Sequence, residues 1–184
     1  LTLLLNAQRG ILLESSSSSN KFTNITLMGG QYGIYLDTVN KNNFTNAYTS
    51  NHSITGIALL NNPSNSTFFN TIISNATTGV LLDGSDNTFS FLTINATKIS
   101  AINITDGDVN ATVRNAIISG CVDPTIGGLN NSAGAYQLDF NYIANYSCLL
   151  GNVSGILNNY SLSAYPFDNT AGGFYLNQLG ASVN

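Results

Sequence analysis

The chain has 184 residues, enough for one domain with a modest appendage. Only 8% of them are charged and five are basic, for a formal charge of −4; ordinary soluble proteins carry about 25% charged residues, and so few cations leave no electrostatic footprint for nucleic acid. No apolar run approaches the ~20 residues of a membrane-spanning helix, and polarity comes instead from serine, threonine and 28 asparagines.

Residues 1–5 (LTLLL) form a predicted strand, followed by a turn at Gln8-Arg9-Gly10. From Gly10 a phrase recurs: Gly10, Gly33, Gly56 and Gly79 stand 23 residues apart, and Ala101 takes the next place. Each opens a run that is apolar at alternate positions: Ile11 and Leu13, Ile34 and Leu36, Ile57 and Leu59, Val80 and Leu82, Ile102 and Ile104. The runs end on Glu14, Asp37, Asn61, Asp83 and Asp106, with one residue inserted in the third and fifth copies. Ser15–Ser19 would pass for a linker in isolation. It falls where Thr38–Lys41 and Gly84–Asp86 fall, so it is an exposed turn of the repeat. Next comes a column of Phe22, Phe44, Phe68, Phe89 and Val113. Two places beyond stand Asn24, Asn46, Asn70 and Asn115, with Phe91 in the fourth position.

Self-similarity at 20–25 residues, built from short alternating strands and polar turns, is the signature of a solenoid. Strands of four or five residues cannot bury a face alone. Stacked at ~4.8 Å they pair along the axis, so like side chains lie on one another. The phenylalanines are expected to stack inside, and the asparagines to form an inner ladder in which each amide donates to the next carbonyl. An unpaired buried amide would be costly. On these residues the chain resembles the right-handed parallel β-helix repeat proteins, the broad group of pectate-lyase-like and copper-site-maturation-type repeats. The resemblance covers roughly residues 1–120 and implies an all-β fold of about five coils; that scaffold carries lyases, hydrolases, adhesins and envelope components, so it does not name a function.

At Cys121 the texture changes. Residues 121–184 hold six of the nine tyrosines and are expected to form a β-rich C-terminal region, set apart from the repeats of 1–120. Cys121 and Cys148 are the two cysteines. In an exported chain they would be oxidised. An intrachain bridge closing a loop of about 28 residues would contribute ~3.5 kcal/mol; an interchain bridge and free thiols are the alternatives.

Catalytic chemistry finds thin candidates. Asp37, Asp83, Asp106 and Glu14 share a column, where each is expected to accept backbone N–H bonds in the turn after its strand. Asp106, Asp108 and Asn110 copy the first three ligand positions of a calcium loop, but Ala111 and Ile117 stand where its glycine and glutamate belong; they form a weak calcium candidate, and an ordinary turn is the favoured reading. His52 lies in a polar turn without a Cys or His partner in sequence. No catalytic residue, cofactor or enzymatic activity is expected.

Twelve Asn-x-Ser/Thr sequons occur, where composition alone gives about six. The expected glycan acceptors are Asn51, Asn65, Asn75, Asn95, Asn110, Asn130, Asn145, Asn152 and Asn159. Asn24 is expected to be a poor one, as a member of the inner ladder. Asn51, Asn75 and Asn95 occupy equivalent turns on this reading, too close for all three to be filled. Met28 is the only methionine, so Leu1 is no initiator and the chain reads as a processed protein or a fragment.

The expected function is a structural subunit of an extracellular, self-assembling polymer: a sheath, S-layer or surface filament, with a composition similar to that of archaeal cell-surface proteins. The expected partner is the chain itself, joined through its coil ends and tyrosine-rich region, since a chain that begins directly in a strand offers unpaired backbone groups to another copy. Surface glycans are a further expected partner. The competing reading is a polysaccharide-binding or polysaccharide-cleaving β-helix, or an adhesin fragment.

Overall fold

The structure, a computed structural model, describes residues 2–4, 8–105, 111–119, 129–131, 137–139, 142–143, 167–168 and 175–176. Among these residues there are strands, turns and short connecting loops, and no helix. The strands are β1 (Thr2–Leu4), β2 (Arg9–Glu14), β3 (Lys21–Met28), β4 (Tyr32–Asp37), β5 (Asn43–Ser50), β6 (Thr55–Leu60), β7 (Thr67–Ser74), β8 (Thr78–Leu82) and β9 (Thr88–Asn95). They continue as β10 (Ser100–Ile104), β11 (Thr112–Arg114), β12 (Ile117–Ser119), β13 (Leu129–Asn131), β14 (Gln137–Asp139), β15 (Tyr142–Ile143), β16 (Phe167–Asp168) and β17 (Tyr175–Leu176).

From β1 to β15, each strand pairs in parallel with a strand one coil away. One sheet runs β2-β4-β6-β8-β10-β13, and a second runs β1-β3-β5-β7-β9-β11-β14 with β12 and β15 beside it. The eight-residue strands of the second sheet are folded in two. Asn24, Asn46, Asn70, Phe91 and Asn115 have φ of 51–56°, and the pairing register skips this position in every coil from β3 to β9. In the next coil the two halves are separate strands, β11 and β12, both paired to β9. The cross-section therefore has three faces. Beyond residue 120 parallel pairing continues, β13 on β10, β14 on β11 and β15 on β12, while β16 and β17 form an antiparallel pair.

The core is a set of columns. Phe22, Phe44, Phe68 and Phe89 stack with centroids 4.6–4.9 Å apart and planes within 6°, and Val113 continues the column in register with Phe89. Phe44, Phe68 and Phe89 are fully buried. The 23-residue glycines face inward against the next coil: a Cβ on Gly33 would lie 2.5 Å from the Gly56 carbonyl oxygen, and one on Gly79 2.5 Å from that of Ala101. Real side chains do not approach so closely, so the backbone contact between coils fixes glycine there.

The asparagine ladder is present but on the other side of the wall. Asn46 Nδ2 donates to Asn24 Oδ1 at 2.8 Å and Asn70 Nδ2 to Asn46 Oδ1 at 2.9 Å, yet all three residues are exposed. Two residues after an inward Phe a continuous strand would point inward again; the left-handed residue breaks that alternation and turns its own side chain out. The buried polar column lies two residues before the phenylalanines, at Asn20, Asn42, Ser66 and Asn87. Asn42 Oδ1 accepts from Asn20 N and Nδ2, both at 3.0 Å. Ser66 Oγ accepts from Asn42 N at 3.3 Å, and Asn87 Oδ1 from Ser66 N at 3.0 Å.

Two further registers differ from the sequence reading. Asp37 pairs with Leu60, not Asn61, so the acidic column runs Glu14, Asp37, Leu60, Asp83, with Asn61 one residue beyond. Asn95 pairs with Ser74, which pairs with Ser50; the position equivalent to Asn51 and Asn75 is held by Ala96, whose φ of 56° matches their 59° and 50°.

Candidate functional site

The outward surface is where this chain presents chemistry. The second half of each folded strand sends Thr26, Tyr48 and Ile72 outward in one register row. Beside them runs the exposed ladder of Asn24, Asn46 and Asn70. Between row and ladder lies a shallow groove of about 250 Å³, floored by Ile25 and Ala47. The ladder spends one N–H of Asn46 and of Asn70 on the preceding rung, and their remaining outward N–H and oxygen lone pairs line the groove. Tyr48 contributes a ring, and its hydroxyl is 3.3 Å from Ser74 Oγ. After Asn70 the column carries Phe91, half exposed, whose ring meets that of the similarly exposed Phe69 edge-on at 5.2 Å. Amides, a phenol and an exposed ring on a shallow track suit a neutral polyhydroxylated ligand.

The acidic column is occupied by turn chemistry. Asp37 Oδ1 accepts from Thr38 Oγ1 and from Asn61 Nδ2, each at 2.9 Å, and Asp83 Oδ2 accepts from Asn61 N at 3.3 Å. The side chain and backbone of Asn61 thus sit between carboxylates two coils apart. Glu14 lies 4.0 Å from Arg9, whose guanidinium covers the Tyr35 ring at 4.2 Å.

His52, in its polar turn, is buried, at 2% exposure. It follows the left-handed Asn51 and points inward at a corner where Ala76 and Thr97, both fully buried, take the corresponding places in the next coils. Burial pushes the imidazole below its ordinary pKa, partly offset by the nearby backbone of Gly29 and Leu27. Neither ring nitrogen completes a hydrogen bond of good geometry, and the Thr49 and Thr71 hydroxyls are also buried without partners.

Of the sequon asparagines, Asn51, Asn65 and Asn75 are exposed at left-handed turns, and Asn75 Nδ2 donates to Asn51 Oδ1 at 2.6 Å. Asn95 is half-buried at the end of β9. Asn130 lies in β13, in register with Asn103. Asn110, Asn145, Asn152 and Asn159, the calcium candidates Asp106 and Asp108, and Cys121 and Cys148 lie outside the described residues. Among the described residues no group of three His, Cys, Asp or Glu side chains is placed to hold a metal ion, and no helix is long and apolar enough to cross a membrane.

The family model for the right handed beta helix region matches residues 2–145. The chain belongs to that family. The match gives the hand of the coil and extends over β13–β15, whose parallel pairing agrees with it. No curated protein and no solved structure matches the chain.

Proposed function

We propose that this β-helix is a structural subunit of an extracellular, glycosylated polymer (a sheath, S-layer or surface filament) in which coils of neighbouring subunits stack as coils within one subunit do. The observation that carries this reading is the sameness of successive coil faces. Phenylalanine lies on phenylalanine at 4.6–4.9 Å, and asparagine donates to asparagine at 2.6–2.9 Å in two outward columns. A face of this kind is complementary to another copy of itself, as in cross-β stacking, and a head-to-tail contact of that sort propagates. Cohesion comes from backbone pairing and apolar columns, so the polymer is expected to tolerate salt.

The exposed left-handed asparagines Asn51, Asn65 and Asn75 support the glycosylated, exported part of the reading. The acidic groups Asp37 and Asp83 are engaged in turn hydrogen bonds, which favours structure over catalysis as their role. Electron microscopy of purified protein tests the proposal. Long polymers are expected, insensitive to molar salt. A field of dispersed particles of 19.4 kDa at the concentrations of a surface layer would overturn it.

A further inference from the structure

We propose that Asn24 is a glycan acceptor and that its glycan lies in the groove along the asparagine ladder. The proposal rests on the glycosylated, exported reading above and goes beyond it in naming a site and a seat for the sugar. Asn24-Ile-Thr26 is a sequon. Its asparagine was expected to be hidden in an inner ladder; it is exposed, at a left-handed bend of φ 54°. Asn24 and Thr26 both line the groove, and from Asn24 the column descends through Asn46 and Asn70 to Phe91. Three rungs at ~4.8 Å make a track of about 14 Å, room for a short oligosaccharide.

The ladder chemistry suits this acceptor. Asn24 enters the ladder through its oxygen, which accepts from Asn46 Nδ2 at 2.8 Å. Glycosylation takes place at nitrogen. The Asn24 amide nitrogen attacks the anomeric carbon of a lipid-linked glycosyl phosphate, and a C–N bond forms as the C–O bond to phosphate breaks. The phosphate leaves with the electron pair, and the amide gives up one proton. The oxygen, and with it the ladder bond, is unchanged. Along the groove, the outward amide groups of Asn46 and Asn70 meet sugar hydroxyls, Tyr48 and Ile72 offer apolar surface, and Phe91 presents a ring for the apolar face of a terminal sugar.

Glycopeptide mapping of protein from its native source, with periodate oxidation rates of each glycan on the folded protein, tests the inference. A glycan on Asn24 is expected, oxidised about tenfold more slowly than glycans on the open turns at Asn51 or Asn65, with F91A removing most of that protection. Glycans on Asn51 or Asn65 with Asn24 bare overturn the inference and leave the glycosylated reading standing. Sequons bare throughout overturn both. An Asn24 glycan oxidised as fast as the others overturns its seating in the groove. Asn24 bare, with added oligosaccharide protecting groove amides from hydrogen exchange, overturns the tethered glycan in favour of a free saccharide.

Discussion

Two polar columns run along the solenoid four residues apart in each coil, Asn20–Asn42–Ser66–Asn87 and Asn24–Asn46–Asn70–Phe91. The first is buried from Asn42 onward, and its side-chain oxygens accept backbone N–H groups of the adjoining coil at 3.0–3.3 Å. The second is exposed, and its amides bond to one another at 2.8–2.9 Å. The inner column satisfies turn N–H groups that the sheets leave over, so removing a member strands a buried donor. Removing a member of the outer column returns its partners to water. The same residue type at the same period thus serves different ends, and its place relative to the left-handed bend decides which.

Replacing a residue of the apolar column sets the scale for the interior. Phe68 stacks at 4.9 Å on Phe44 and 4.6 Å on Phe89, and F68A is expected to cost about 3–5 kcal/mol. Urea unfolding measures this, and a loss below 1 kcal/mol would mean that the stack does not hold the coils.

Next in size is the direct contrast of the two polar columns. N87A removes the acceptor of the buried Ser66 N–H and the donor to Pro63 O at 2.8 Å; it is expected to cost about 1–3 kcal/mol. N70G keeps the left-handed backbone and removes one exposed rung, for a loss within about 1 kcal/mol. Equal losses, or a larger one for N70G, would break the distinction between the columns.

What the sequence disclosed follows from the same geometry. The phenylalanine and glycine columns were legible because an apolar stack and a close backbone contact each demand one residue type at one place per coil. The facing of Asn24, Asn46 and Asn70 was not. Counting two residues on from an inward Phe assumes an unbroken strand, and a left-handed residue inverts the count. The inner column had left a signal, a small polar residue two places before each phenylalanine in Asn20-x-Phe22, Asn42-x-Phe44, Ser66-x-Phe68 and Asn87-x-Phe89. The inward facing of His52 has the same origin as the outward facing of the ladder, since it follows a left-handed asparagine. Its coil neighbours Ala76 and Thr97 were the available hint.

His52 extends the inner side of the comparison to pH. Its folded-state pKa is lowered, chiefly by burial, and among the described residues no acidic group is in position to favour its charge. Below the ordinary histidine value of about 6.5 the unfolded chain therefore binds more protons than the folded one. Stability is full above that value and is lost as pH falls toward the depressed folded pKa, at up to about 1.4 kcal/mol per pH unit. H52Q should flatten this part of the profile. A wild-type stability that is level, or that rises, between pH 6.5 and 5 would contradict the buried neutral ring.

Phe91 is the place where the outer column departs from its own rule. It has φ 56° and sits half exposed where three coils before it have asparagine. A left-handed backbone costs a residue with a Cβ about 1–2 kcal/mol, and asparagine is among the few that adopt it routinely. Against that relief stands the edge contact with Phe69, worth ~0.5 kcal/mol at the low end expected for exposed rings. An asparagine there would also add a rung to Asn70. F91N is therefore expected to stabilise the fold by about 1 kcal/mol, a rise in Tm of about 2–4 °C for a chain of this length. A lowered Tm would mean that the aromatic pair outweighs the strain and that the outer column is held by its rings as much as by its amides. If F91N raises Tm while speeding oxidation of an Asn24 glycan, Phe91 is kept for the sugar it faces and at the expense of the fold.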